Sequence, residues 1–139
     1  MIAVLQRVTE ASVTIDGNLK GECNEGLMIL LGVSKDDVKL DAELLATKIS
    51  KLRIFCDENG KMNRSLKDID GEMLVISQFT LMANYRHGNR PDFMASAKPF
   101  FQHHAAVCPF GFLSKKLIIC PCAAPECFLP VHSVSVRNI

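Results

Sequence analysis

Residues 27 to 33 read Leu-Met-Ile-Leu-Leu-Gly-Val, an unbroken apolar run that follows Gly26. A strand with one wet face alternates apolar and polar side chains, so a run without alternation fits a strand buried on both faces. Working outward toward the C-terminus, Ser34 is placed to cap the first N–H groups of a helix, and Asp36 and Asp37 suit the positive end of its dipole. Val38, Ala42, Leu45, Ile49 and Leu52 then recur at alternating steps of four and three, which turns one stripe toward a sheet. Toward the N-terminus, Ile2, Val4 and Val8 suggest a first strand. Ser12-Val13-Thr14-Ile15 alternates again before Asp16-Gly17, a pair whose glycine takes the positive φ of a primed hairpin turn, and Leu19 to Cys23 form the return strand. After the helix, Arg53-Ile54-Phe55 reads as a short strand ending at the turn Asp57-Glu58-Asn59-Gly60, and Met73 to Met82 as a further strand. Strands, one helix, then more strands with hairpin turns predict an α+β fold with mainly antiparallel or mixed sheets and helices on one side.

The length of 139 residues suits a single domain over 1–139. Apolar residues at 48% and charged residues at 22% are near globular averages, which excludes an intrinsically disordered chain. The net charge of +1 means that any nucleic-acid contact must come from a local basic patch. Gln6, Arg7, Thr9 and Glu10 interrupt the opening apolar residues at once, so a secretory signal is not expected. Lys115-Lys116 and several prolines break the most apolar stretch before it reaches membrane-spanning length. The expectation is a soluble, cytoplasmic protein with no membrane partner.

The apolar run Met73-Leu74-Val75-Ile76 ends in Ser77-Gln78-Phe79-Thr80-Leu81 and then in the polar, basic loop Asn84-Tyr85-Arg86-His87-Gly88-Asn89-Arg90-Pro91. If the strand ran on, Ser77, Phe79 and Leu81 would share one face and Gln78 and Thr80 the other. A polar strand end of this kind can present donors to negative charge that develops on a bound carbonyl. Backbone N–H groups around Gln78 and Phe79, with the Gln78 amide, are candidates. Ser77 or Thr80 would serve as a covalent nucleophile only with a base beside it, and the sequence places none there. Taken alone, Ser-Gln-Phe-Thr-Leu is more simply a plain strand end, and the basic loop a solvated one.

Together with Ile2-Ala3-Val4-Leu5-Gln6-Arg7-Val8 and Gly88-Asn89-Arg90-Pro91, the word Ser77-Gln78-Phe79-Thr80-Leu81 resembles the D-aminoacyl-tRNA deacylases over roughly residues 1 to 99. The resemblance implies two sheet layers with a helical layer, and a homodimeric hydrolase that cleaves the ester between a D-amino acid and tRNA without a cofactor. It also implies a pocket that uses main-chain atoms more than side chains, with the 2′-hydroxyl of the terminal adenosine assisting the attack of water. Ser77, Gln78, Phe79 and Thr80 would build that catalytic pocket. Gln6 and Arg7, with Arg86, Gly88, Asn89, Arg90 and Pro91, would bind substrate, the arginines together with His87 and Lys98 meeting acceptor-stem phosphates. Pro91 fixes its own φ and restricts Arg90, which stiffens the loop.

Beyond Phe101 the composition breaks. Of 16 basic and 15 acidic residues only Lys115, Lys116, Arg137 and Glu126 follow it, whereas Cys108, Cys120, Cys122 and Cys127 all do. Residues 102–139 are therefore read as an atypical tail. The resemblance also implies a cis Gly-Pro element that excludes L-amino acids from the neighbouring subunit's pocket, and these 139 residues contain no Gly-Pro dipeptide. The tail is read as diverged, or as a truncated or shifted reading frame, with relaxed chiral selectivity as the expected consequence. Val134-Ser135-Val136-Arg137-Asn138-Ile139 resembles the strand that precedes the missing element. Two other functions stand beside the hydrolase: a tRNA-binding or dimerisation module with impaired catalysis, and a Cys-rich metal-binding protein built on the tail. Cys120-Pro121-Cys122 with Cys127, Cys108, His103, His104 and His132 matches the paired spacings of zinc sites poorly, so no metal site is assigned.

Overall fold

A computed structural model describes residues 1–98, 101, the backbone of 117–120, and 133–138. In chain order the elements are β1 (Ile2–Ile15), β2 (Asn18–Cys23), β3 (Gly26–Gly32), α1 (Lys39–Ser50), β4 (Phe55–Cys56), β5 (Met62–Arg64) and β6 (Glu72–Ser77). A 3-10 helix, Phe79–Met82, follows, and then β7 (Leu117–Cys120) and β8 (Ser133–Asn138). Asp16 and Gly17 both have positive φ, 49° and 76°, the pair of values a type I′ turn requires, and they close Ile15 against Asn18. From that turn β2 and β3 follow one another antiparallel along β1, the register shifting once between Val13 and Thr14 and then holding, with Ala11 opposite Cys23 and Val8 opposite Gly26. β8 pairs antiparallel with β1, β6 pairs parallel with β3, and β7 pairs parallel with β6. The fold is thus a mixed-sheet α+β architecture, with β4 and β5 forming a separate two-stranded ribbon.

β3 is buried on both faces, as its unbroken apolar run implies. Leu27, Ile29 and Leu31 join Met73, Val75, Ala46, Ile49, Phe55 and Leu66 in the core under α1. Met28 faces the other way, into a second cluster with Val8, Ala11, Val13, Cys23, Leu74 and Ile76. The period of two assigns alternate residues of one strand to opposite cores. Burying a side chain such as Ile49 contributes about 1.5–3 kcal/mol, so α1 is held by its inner stripe and not by its own helix propensity.

Several boundaries differ from the sequence reading. The helix begins at Lys39 and not after Ser34. Ser34 Oγ does accept from the Asp36 N–H, but inside a turn in which Asp37 Oδ2 takes the Ser34 N–H at 2.6 Å and Asp37 Oδ1 the Met1 ammonium at 2.7 Å. The carboxylate that guards the first turn of α1 is Asp41, accepting from the Val38 N–H at 2.9 Å, and Val38 itself is exposed and extended. The two N-terminal alternating stretches form one continuous β1. Arg53 and Ile54 precede β4, and β5 carries no alternation that the sequence would reveal. The expected strand Met73–Met82 stops at Ser77. β8 falls on residues 133–138 of the tail, where Val136 packs against the second cluster.

Candidate active site

The end of β6 is set by competition for one strand edge. Leu31, Val33 and Lys35 turn their peptide groups to the same side of β3 and its extension. Leu31 O accepts the Gln78 N–H at 2.8 Å, the last ladder bond toward β6. Two residues on, the edge is taken by another segment: the Ala97 N–H donates to Val33 O at 2.8 Å, and the Lys35 N–H to Ala95 O at 2.9 Å. Residues after Gln78 therefore have no strand to pair with, and Phe79–Met82 coil into a 3-10 helix. The fold of this helix back onto β3 needs Gly32. A Cβ there would stand 2.9 Å from Leu81 Cβ and 3.2 Å from Gln78 O, closer than carbon atoms normally pack.

Two expectations change with this geometry. Ser77 and Phe79 do not share a strand face with Leu81, because the alternation ends at Ser77. The Gln78 backbone N–H is committed to Leu31 O and is not a free donor for an oxyanion. The Gln78 side chain bends instead to Thr80, its Nε2 donating to Thr80 Oγ1. Ser77, Gln78 and Phe79 are half-buried and Thr80 is exposed, so all four line one accessible turn of chain.

The basic loop grows from the same turn. Asn84 and Asp92 exchange backbone hydrogen bonds at 2.8 and 3.0 Å, closing residues 85–91 into a narrow loop. Asn84 Oδ1 accepts the Arg86 N–H at 3.0 Å, Tyr85 O accepts the Gly88 N–H at 3.4 Å, and Asp92 Oδ1 accepts the Met94 N–H at 2.8 Å. Gly88 has φ +131°, a value L side chains rarely adopt. Phe93, one residue past this closure, meets Phe79 edge to face, with ring centroids 5.2 Å apart and planes at 71°. Arg86, Gly88, Asn89, Arg90 and Pro91 are exposed on a loop tied at its base to the candidate pocket.

Gln6 and Arg7 are not brought there within this chain. Ser77 lies level with Leu31 and Ala3, whereas Arg7 lies level with Leu27. That is four residues along the strands, about 13 Å. The Arg7 Nη1 donates to Ile54 O at 2.9 Å and lies 3.7 Å from Cys56 Sγ, beside β4. Gln6, on the opposite face, donates through Nε2 to Asn138 Oδ1 of β8. Gly32, Asn84, Asp92 and Phe93 position the site and escape a reading of the sequence, although a glycine inside a strand and an asparagine before a loop are both signals of close approach and of local capping. The tail cysteines Cys108, Cys122 and Cys127 and the histidines His103, His104 and His132 lie outside the described residues. Among the described residues no three metal-ligating side chains converge.

Known proteins share this chain's pattern. The family model described as D-Tyr-tRNA(Tyr) deacylase matches residues 4–107. A D-aminoacyl-tRNA deacylase of Clostridium novyi is 54% identical over 94 residues, covering 68% of this chain and 63% of that protein. One from Caldicellulosiruptor saccharolyticus is 59% identical over 97 residues, covering 70% and 65%. The chain thus spans a little under two thirds of the length of these relatives. A solved structure described as the c-Myc DNA Unwinding Element Binding Protein superposes with a TM-score of 0.78 at 32% identity, covering 99% of this chain and 91% of that one. The matched words, Arg7 in the first strand and the Ser77–Leu81 turn with its Arg90-Pro91 loop, fall inside the matched residues, and this chain belongs to the D-Tyr-tRNA(Tyr) deacylase family.

Proposed function

We propose that this chain hydrolyses the ester bond of D-aminoacyl-tRNA, releasing the free amino acid and tRNA. The observation that carries the reading is the forced turn at Gln78. It leaves an accessible run of backbone and amide groups beside an exposed loop that bears Arg86 and Arg90. In the proposed step, water attacks the ester carbonyl and charge gathers on the carbonyl oxygen. The Thr80 N–H, in the first turn of a helix and so without an intrahelical acceptor, and the Gln78 amide face that oxyanion. Collapse breaks the bond to the ribose oxygen, which takes a proton from the attacking water through the neighbouring 2′-hydroxyl. Arg86 and Arg90 hold the RNA backbone.

A covalent route through Thr80 has less support. Its hydroxyl is bonded to the Gln78 amide, and among the described residues no imidazole or carboxylate hydrogen-bonds to it. Homodimer assembly and a cytoplasmic location belong to the same proposal. Ile2 and Val4 lie on the β1 face that carries buried Val8, yet stand 45% and 46% exposed, an apolar surface that a second copy would cover. No helix among the described residues is long and apolar enough to cross a membrane. The test is release of free amino acid from matched D- and L-aminoacyl-tRNA by the purified chain, with sedimentation for its mass. D-dependent turnover above the spontaneous rate supports the reading. Binding of tRNA without turnover on either form would instead identify a binding module, and no interaction with tRNA would refute both.

A further inference from the structure

Tyr85 is the only tyrosine in the chain, which has no tryptophan, and it stands 62% exposed at the root of the basic loop. A tyrosine ring in water offers an apolar face and a polar tip, a combination suited to contact with a partner that is itself part apolar and part wet. The residue is held in the loop through its backbone carbonyl, which accepts the Gly88 N–H. The position is not a loose one. Asn84, immediately before it, is paired to Asp92 on one side and holds the Arg86 N–H on the other. The ring is therefore presented from a closed turn at the far end of the 3-10 helix from the candidate pocket, and Phe79–Phe93 locks that turn to the pocket. Between Tyr85 and Pro91 the side chains include Arg86, His87 and Arg90 and no carboxylate, while the neighbouring Asp92 carboxylate is occupied by the Met94 N–H.

An exposed aromatic ring on a backbone-closed loop that also carries arginines is an arrangement that suits unpaired nucleotides: the base stacks on the ring and the phosphates meet the guanidinium groups. We infer that Tyr85 is a stacking platform for an unpaired base of the RNA strand whose 3′ end carries the ester. This rests on the aminoacyl-tRNA reading and deepens it by naming the part of the substrate that the loop recognises. A duplex offers no free base face, so the ligand class is a single-stranded 3′ end and not a helical stem. Tyr85 is a substrate-binding residue in this assignment; the ester chemistry proceeds at Gln78–Thr80.

Because Tyr85 is the sole intrinsic fluorophore of its kind, tyrosine emission reports on this one ring. The full chain is titrated with a short single-stranded RNA ending in CCA, and with the same RNA in which one terminal base at a time is removed and the phosphates kept. Stacking predicts quenching of Tyr85 emission by the intact RNA, and affinity weaker by roughly 5- to 150-fold when the stacked base is missing. Tyr85→Phe, followed by a label on the RNA, retains the intact affinity, and Tyr85→Ala loses it to the same extent as removal of the base. In turnover assays Tyr85→Ala raises KM for D-aminoacyl-tRNA and leaves kcat within about twofold. Equal affinity for every base-deleted RNA, or an unaltered Tyr85→Ala, overturns the assignment while D-dependent turnover leaves the deacylase reading standing. Absence of both RNA binding and turnover overturns the two together.

Discussion

Gly32→Ala tests whether the close approach of the 3-10 helix to β3 organises the site. The new Cβ would lie 2.9 Å from Leu81 Cβ, an atom fixed to backbone and unable to swing aside, and 3.2 Å from Gln78 O. Overpacking of this kind costs about 1–3 kcal/mol. Relieving the chain of a glycine within a strand offsets about 0.5–1 kcal/mol. The net loss is about 0.5–2 kcal/mol, which at a urea slope of ~2 kcal/mol per molar lowers the unfolding midpoint by roughly 0.25–1 M. The larger effect is expected on turnover, because the strain is relieved by moving Gln78 and the helix that follows it. A misplacement of about 1 Å can cost on the order of a hundredfold in rate. Ile49→Val, in the core beneath α1, supplies the comparison: about 0.5–1.5 kcal/mol less stable, with turnover retained. A Gly32→Ala protein as stable as the parent, or one that loses no more turnover than Ile49→Val, would show that the close approach at Gly32 does not organise the site.

Under the proposed attack by water, Thr80→Ala should keep turnover within about tenfold; background rates with intact circular dichroism would require a covalent intermediate instead. Arg86→Ala with Arg90→Ala should weaken RNA binding and lower the slope of log affinity against log salt by about 0.7 for each single-strand phosphate that is no longer neutralised; an unchanged slope would assign both side chains to bulk solvent. Asp68 accepts from both the N–H and the Oγ of Ser65 at 2.7 Å, and these bonds, the backbone one first, hold its carboxyl below the ordinary 3.8. A depressed folded pKa contributes stability that is complete above the ordinary carboxylate range and is lost as pH falls through the folded value. Urea midpoints of the parent should accordingly exceed those of Asp68→Asn at neutral pH and converge with them below about pH 4, and a gap that persists in acid would show that the difference is not ionic.

What the residues disclose on their own follows from where local pattern and tertiary pairing agree. The 27–33 run has nowhere to go but between two cores, and Asp16-Gly17 can hardly build anything but a tight turn, so both are legible. Phe79-Thr80-Leu81-Met82 has strand-forming side chains and reads as strand, because nothing in those four residues reports that the edge they need is already filled by Ala95–Ala97. The same blindness hides the fate of the Gln78 N–H: a donor that looks frayed from the sequence is the last rung of the ladder. Ser34 reads as a helix cap since its hydroxyl does cap a turn, and only the Met1–Asp37–Ser34 cluster, closed from far along the chain, separates that turn from α1. Arg7 lies within a family word and groups with the site by resemblance, whereas sheet register sets it some four residues away along β1.

These pairings make one excursion of chain the frame of the proposed site. It leaves the edge of β3 at the Gln78–Leu31 bond and returns to that edge at the Ala97–Val33 bond, two residues further along. Everything from Phe79 to Ser96 is therefore pinned at neighbouring points of one rigid strand, and the loop closure is met by backbone bonds rather than by the long side chains that face solvent. Inside the excursion the Asn84–Asp92 bridge and the Phe79–Phe93 contact divide it into a short helical arm and a basic tip. A site built in this way obtains precision from main-chain geometry. Substitutions at exposed side chains such as Thr80 should then be tolerated in the chemistry, while changes that shift the pinning points, at Gly32, Val33 or Ala97, should be felt at the ester, although they touch no substrate.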